Sequence, residues 1–411
     1  MIKPFRGWRY DERKTKPLSL VVAPPYDVIL PNACSKYFSR HPKNFINLSL
    51  GKQGTEKNLA EGNYSKAAQV LKQWLEDGTL MQESRKSFYV YEETFEVAGK
   101  KLNRTGFIAL LNLENSDGNV LKHEKTLPKP LEDRLLLLRA TKADLEPIFL
   151  LFEDSELEVE SILKKAKESK PVLELVDEMG VRHKMWLLQG ERCTKIARLL
   201  EGQNLLIADG HHRYSTALTF MKESKSPGFK FKMVYLLGTG SKGLLILPTH
   251  RGLLQVGNKS SFLKQIEKFF ELEEKSKVEV FKLLEKAEVN CFAMLFQKKY
   301  FFCSEKKQGL VKKELESRKL PEVLQELPTT VLHSIVLEAC LKENPKNIVF
   351  EKSVQKLVKG VEAGRLEAAF FLKATTLKQF EAVSKANQLM PPKSTYFYPK
   401  PLSGLVFYKP K

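Results

Sequence analysis

Apolar residues recur along this chain with two different periods. Ala67, Val70, Leu71, Trp74 and Leu75 share one face at helical spacing, which predicts a helix over 60–77. Alternation and β-branched or aromatic content predict strands over 87–97 and 104–113, joined by a turn at Ala98-Gly99-Lys100-Lys101. A leucine-rich helix is expected over 131–140. A strand (147–152), a helix (156–169), a hairpin around Met179-Gly180 and a helix (191–200) should follow. The run Leu205-Leu206-Ile207-Ala208 reads as the end of a buried strand. It stops at Asp209-Gly210, after which Tyr214–Met221 resumes helical spacing.

Beyond residue 221 the pattern gives a strong strand at 229–237 and a glycine turn at 238–243. A returning strand is expected at 244–247, ending at Pro248-Thr249-His250-Arg251. The glycine turn is not a Walker phosphate loop, because no Gly-Lys-Ser/Thr stands at the required spacing. From about 258 onward helices are expected at 260–270, 278–287, 321–341 and 352–363, with strands at 289–296, 300–303 and 367–372. Strands and helices mix without regular alternation, so the class is α+β or mixed α/β. We expect a core over 1–257 with an inserted strand–helix–hairpin unit around 145–190, and a C-terminal α+β domain over 258–411.

Composition narrows the picture. Hydrophobic residues make up 42% of the 411 positions, which suits folded domains with sizeable cores. The five cysteines are widely spaced, which argues against zinc sites and disulfides and for a cytoplasmic setting. No signal peptide or spanning segment is legible, so no membrane role is expected. The net charge of +19 allows nucleic acid as a partner, but no basic tail or aromatic–arginine array favours it. Oligomeric state is not legible.

The densest chemistry lies at Asp209-Gly210-His211-His212-Arg213. Two imidazoles and a guanidinium stand where a helix begins, beside amides that lack intrahelical partners. Such a place suits polyphosphate, since orphan donors, helix dipole and arginine all favour negative charge. The bland alternative is a capping aspartate in a common turn. A second polar pair, His123-Glu124, precedes a proline-broken loop; a glutamate near phosphates could serve as general base toward a hydroxyl. Pro24-Pro25 force an extended entry that puts Tyr26 and Asp27 in a loop.

Five stretches, in order, are similar to a prokaryotic domain-of-unknown-function family, number one thousand and fifteen of its series. They are Ala23-Pro-Pro-Tyr-Asp-Val28, His123-Glu-Lys-Thr126, Ile207-Ala-Asp-Gly-His-His-Arg-Tyr214, Leu247-Pro-Thr-His-Arg251 and Met390-Pro-Pro-Lys-Ser-Thr-Tyr-Phe-Tyr-Pro-Lys400. More distantly, the His-Glu and Asp-Gly-His-His-Arg pair resembles that of the free-serine kinases of the ParB/sulfiredoxin-like superfamily. That resemblance implies a ParB/sulfiredoxin-like core and a kinase of amino-acid metabolism, moving phosphate from ATP (or ADP), with Mg²⁺, to free L-serine or a close analogue. It assigns Glu124 as base, with Asp209 and His212 beside it in catalysis. Gly210, His211, His212 and Arg213 become nucleotide-binding, and Asp209 a metal ligand. To these we add His250 and Arg251 for the nucleotide, and His123, Asp27 and Lys393 for the small hydroxyl-bearing substrate. The rival implied by the same superfamily is a nucleotide-gated, ParB-like nucleic-acid-binding protein. Sulfiredoxin-like repair is disfavoured, because no cysteine adjoins Asp209.

Overall fold

Alternate residues of a strand face opposite sides of a sheet, and between residues 88 and 112 this separates hydrocarbon from aromatic hydroxyls. Phe88, Val90, Phe107, Ala109 and Leu111 enter one apolar cluster. Tyr89 and Tyr91 point the other way, and Glu93 and Arg104 are directly opposed on neighbouring strands. In the computed structural model this pair lies inside the first of two compact units, which comprises 1–121, 126–245 and 399–411. The second unit comprises 122–125 and 246–398. The structure describes all residues except 1, 30–32, 51–61, 115, 117, 127, 288–289, 308, 343 and 411, and only the backbone of 62, 63 and 345. The predicted helix start at Ala60, Leu127 after the His-Glu motif, and the strand start at Val289 lie outside the described residues.

The chain is a mixed α/β protein with several sheets. In the first unit, β1 (Ile2–Lys3), β4 (Phe88–Val97), β5 (Lys100–Asn112), β6 (Val120–Leu121), β7 (Ile148–Phe152), β8 (Leu173–Val176), β9 (Arg182–Leu188), β10 (Leu205–Asp209) and β11 (Phe231–Gly238) form a nine-stranded sheet. Its order is β6-β10-β7-β11-β5-β4-β9-β8, with β1 beside β5. A small separate ladder pairs β2 (Trp8–Tyr10) with β3 (Leu80–Gln82). The helices of this unit are α1 (Cys34–Arg40), α2 (Ile46–Ser49), α3 (Gly62–Glu76), α4 (Pro128–Thr141), α5 (Glu158–Ala166), α6 (Glu191–Leu199) and α7 (His211–Glu223). Val159 and Leu163 of α5, with Cys193 and Ile196 of α6, cover the apolar face of the sheet, and α7 adds Tyr214 and Ala217.

The segment expected as an insertion is part of this sheet. Its strand β7 lies between β10 and β11, and β8 and β9 extend the far edge. Five consecutive buried residues in β7 explain the placement, since only an internal strand buries both faces.

In the second unit all pairings of the six-stranded sheet are antiparallel: β14 (Phe270–Lys275), β16 (Lys299–Glu305), β15 (Cys291–Phe296), β18 (Ala368–Phe371), β13 (His250–Leu253) and β17 (Ile348–Glu351), in that spatial order. Strand β15 shows why both faces need cover. Phe292, Met294 and Phe296 pack with α8 (Lys259–Ile266), α10 (Leu310–Ser317) and a π-helix, Val331–Cys340. Cys291, Ala293 and Leu295 pack with α9 (Lys277–Lys286) and α13 (Val354–Glu362).

Two expectations change here. The helix predicted over 321–341 breaks into α11 (Glu322–Gln325), α12 (Pro328–Thr330) and the π-helix. Pro328 lacks an N–H and holds Leu327 extended, at φ −87 and ψ 126, so the helix restarts there. The strand expected to return along β11 is reduced to β12 (Leu245–Ile246), and the Leu247 amide bonds the Tyr396 carbonyl (2.9 Å) instead. The second unit ends with α14 (Leu377–Lys385) and β19 (Phe397–Tyr398). Residues 399–411 belong to the first unit, where Ser403 pairs with Ala23 and Phe407 with Trp8. Among the described residues no helix is long and apolar enough to cross a membrane.

Candidate functional site

The position of Asp209 follows from an irregularity in its strand. Leu205 and Ile207 enter the apolar cluster, so unbroken alternation would send residue 209 there as well. The pairing of β10 with β7 shifts register between Ile207 and Asp209, and Asp209 stands opposite Phe149. Phe149 is on the tyrosine face, its ring 5.0 Å from that of Tyr235. The extra residue therefore turns the carboxylate away from hydrocarbon, as bulges beside functional sites do.

Gly210 then takes φ +98, in the left-handed region, and caps α7. A Cβ at this position would stand 3.1 Å from Arg213 Nε, so glycine also leaves the guanidinium its place. The first helical bond runs from the Tyr214 amide to the Gly210 carbonyl (2.9 Å). The amides of His211, His212 and Arg213 thus lie in the turn that has no intrahelical acceptor. His211 is buried and His212 half-buried.

Three of the five sequence motifs meet around this turn. Arg213 Nη2 lies 2.5 Å from Asp209 Oδ2, and Nη1 donates to the Pro147 carbonyl. Lys400, from the tail motif, lies 2.5 Å from Asp209 Oδ1 and also pairs with Asp27 of the double-proline loop. Burial works against both cations. For Lys400 the charges of Asp209 and Asp27 overcome it, and for Arg213 those of Asp209, Glu146 and Asp27 do, so both pKa values rise.

Neighbouring groups fix the loops that deliver these charges. Arg134 of α4 lies 4.1 Å over the Tyr26 ring, and burial pushes the Tyr26 hydroxyl up to about 12. Arg104, wholly buried, pairs with Glu93 at 2.5 Å and donates to the Pro399 carbonyl, directly before Lys400. Sequence reading missed Arg104, Glu93 and the Arg134–Tyr26 stack. Nothing local marks them, since each partner lies on a different element.

His123 and Glu124 belong to the second unit, within the short excursion 122–125. The His123 carbonyl accepts from the Met390 amide (2.8 Å), and Glu124 forms a parallel bridge with Met390. His123 Nε2 lies 2.8 Å from Thr395 Oγ1, and its ring meets the edge of Phe380. Arg251 in β13 is fully buried: Nε donates to His333 Nε2 (3.1 Å), and Nη2 donates to the Pro392 and Lys393 carbonyls (2.9 and 3.2 Å). Burial lowers its pKa, and the charge of Glu124 opposes that shift.

Lys393 thus contributes its backbone here, at φ +56, while its side chain is exposed. Ser394 Oγ lies 2.9 Å from Thr329 Oγ1 and donates to the Pro391 carbonyl (2.7 Å). His250 Nδ1 accepts the Leu372 amide (3.2 Å), and burial holds the imidazole down to about 4. Arg251, together with the bond from the Leu247 amide to the Tyr396 carbonyl, ties the Leu247–Arg251 motif to the tail motif. His333 is the acceptor for Arg251, with a pKa depressed by burial to about 3.

Fit to a magnesium ion can be judged from the donor set. Both oxygens of Asp209 are matched to cations, and Asp27 shares Lys400 with it. In this arrangement the two carboxylates do not fit a resident divalent cation. The five cysteines are buried and form no disulfide.

Comparison with solved structures finds similarity to a free serine kinase in complex with AMP, at 14% identity and TM-score 0.38, covering 71% of this chain and 86% of that one. A conserved hypothetical protein from Pyrococcus furiosus is similar at 16% identity and TM-score 0.37, over 71% of this chain and 90% of that one. SbnI with a C-terminal truncation, from Staphylococcus aureus, is similar at 11% identity and TM-score 0.36, over 72% and 85%. No curated protein matches the chain. A family profile matches residues 2–330, and with it the chain belongs to the family described as protein of unknown function (DUF1015).

Proposed function

We propose that the chain is a small-molecule kinase that transfers a phosphoryl group from ATP or ADP to the hydroxyl of free L-serine or a close analogue. One observation carries the reading: Arg213 and Lys400, both held charged, converge on Asp209 where α7 begins. A polyphosphate at this turn exchanges Asp209 for its own oxygens at two permanent cations, and adds the first-turn amides. His211, His212 and Gly210 line the same turn.

Glu124 is assigned as general base. As the substrate hydroxyl oxygen attacks phosphorus, the carboxylate takes its proton, and the bond to the nucleotide's leaving oxygen breaks to release ADP or AMP. The reading asks one reaction to be served by Glu124 and by the 209–213 turn. His123, Asp27 and Lys393 remain proposed for the acceptor, with Asp27 supported by its place beside Lys400. For Arg251 we propose a positioning role instead of phosphate contact, because its nitrogens are spent on His333 and on the Thr249, Pro392 and Lys393 carbonyls, and for His250 likewise, because it is buried and its Nδ1 holds the Leu372 amide. Nucleotide consumption against serine, homoserine, threonine and other small hydroxyl compounds is the test. Hydroxyl-dependent turnover is expected, and its absence with every acceptor and both nucleotides overturns the proposal.

A further inference from the structure

Behind the phosphate turn, within the first unit, lies a cavity of about 60 Å³, room for roughly five water molecules. Its walls are mainly hydrocarbon: Leu137 and Leu138 from α4, Ala217 and Phe220 from α7, and Phe229 and Phe231 from the turn before β11 and its first residue, with Arg213 of α7 also on the wall. Two of its charged lining groups have unspent hydrogen-bonding capacity. Arg134 is buried; Nε donates to Asp133 (2.6 Å) and Nη2 to the Ser49 carbonyl (3.0 Å), yet buried Nη1 has no partner among the described residues. Glu146, also buried, makes one side-chain hydrogen bond among the described residues, accepting from Ser403 through Oε1 (2.6 Å), which leaves Oε2 for another donor. Lys232 and Asp144, on the same wall, satisfy each other.

An unmatched buried guanidinium donor and a carboxylate acceptor beside an apolar hole describe a ligand with three parts. A carboxylate suits Arg134 Nη1, an ammonium suits Glu146, and a short branched hydrocarbon suits the hole. From this geometry we infer that the cavity binds a branched apolar α-amino acid, in a pocket that shares Arg213 with the phosphate turn. A zwitterion brings no net charge into the protein, so neither lining group is left with an uncompensated partner. Serine lacks the branched hydrocarbon that would fill the space between the Leu137, Leu138, Phe220 and Phe231 side chains, so it gains little there.

The test uses the full chain without nucleotide, so its outcome is independent of phosphoryl transfer. Thermal unfolding is followed with L-leucine, L-valine, L-serine, isocaproate (no ammonium) and isoamylamine (no carboxylate). At tenfold excess over its dissociation constant, leucine is expected to raise the midpoint by about 2 °C or more. Serine should do nothing, and the two truncated analogues should do less than leucine. Ala217→Leu fills the hole and should abolish the shift. Glu146→Gln keeps the Ser403 bond and should weaken leucine about tenfold while leaving isocaproate unchanged, which decides the matter even if the first variant does not fold. Absence of any amino-acid shift, an equal shift with serine, or a leucine shift that survives in both variants overturns the inference.

Discussion

The ammonium of Lys400 stands 2.5 Å from Oδ1 of Asp209, joining the C-terminal segment to the strand end that opens α7. Lys400 also neutralises Asp27, so one cation holds together two carboxylates from remote parts of the first unit. Replacing it with methionine leaves both acids without that charge in a site where the Lys400 side chain is 10% exposed. Lys400→Met should destabilise the protein by about 3 kcal/mol, read from urea unfolding midpoints. A loss below about 1 kcal/mol, the range of a surface pair, contradicts this account.

Gly210 offers a sharper local probe. Alanine there meets both a left-handed backbone at φ +98 and the Arg213 side chain at 3.1 Å. Gly210→Ala is expected to cost about 1–2 kcal/mol in unfolding experiments and to weaken nucleotide binding in calorimetric titration. Wild-type affinity in a folded Gly210→Ala protein argues against phosphate binding at this turn.

Removing the proposed base should separate binding from chemistry. Glu124→Gln is close in shape but cannot accept the proton, so turnover should fall about a hundredfold or more while the nucleotide dissociation constant stays within about threefold. Full turnover in this variant sinks the assignment of Glu124.

Acid should weaken the second unit through two buried imidazoles. His250 and His333 are held at about 4 and about 3, first by burial and then by the Arg251 charge, against 6.5 for the free side chain. Below 6.5 the unfolded chain binds protons that the folded form refuses. Their contribution is therefore intact above pH 6.5 and is lost as pH falls toward 4 and then 3. The loss is on the order of 3 kcal/mol per histidine. Urea midpoints between pH 7 and 4.5 check it. His250→Asn, which keeps an acceptor for the Leu372 amide, should flatten the slope; an unchanged slope refutes the linkage.

Much of the architecture was readable locally. Alternation marked β4, β5 and β11, and helical spacing marked α3, α4 and α7, each within a few residues. The break of the 321–341 helix was also written in Pro328, although hydrophobic periodicity concealed it. Sheet order was not readable. Strand β7 is internal because nonlocal pairing puts β10 and β11 beside it, and periodicity is silent about neighbours. For the same reason nothing at positions 122–125 announced that they belong with residues 246–398.

The candidate site divides along the same line. Strand, glycine, imidazoles and arginine at 209–213 are adjacent in sequence, so their joint chemistry was visible as a motif. Asp27 was read only as a substrate contact and Lys400 only as a motif member, neither with a protein partner. A bulge, a left-handed glycine cap and a buried Arg104 bond to Pro399 were needed to bring their charges together.

The amino-acid order alone therefore determined which segments bury a face and where a helix start concentrates anion-binding groups, because both depend on neighbours a few residues away. Tertiary structure alone decided that Asp209 faces the aromatic side of its sheet, that Lys400 is its second cation, and that Arg251 is spent on carbonyls. Those outcomes depend on register and on desolvated charges finding partners from distant segments, and local spacing carries no record of either.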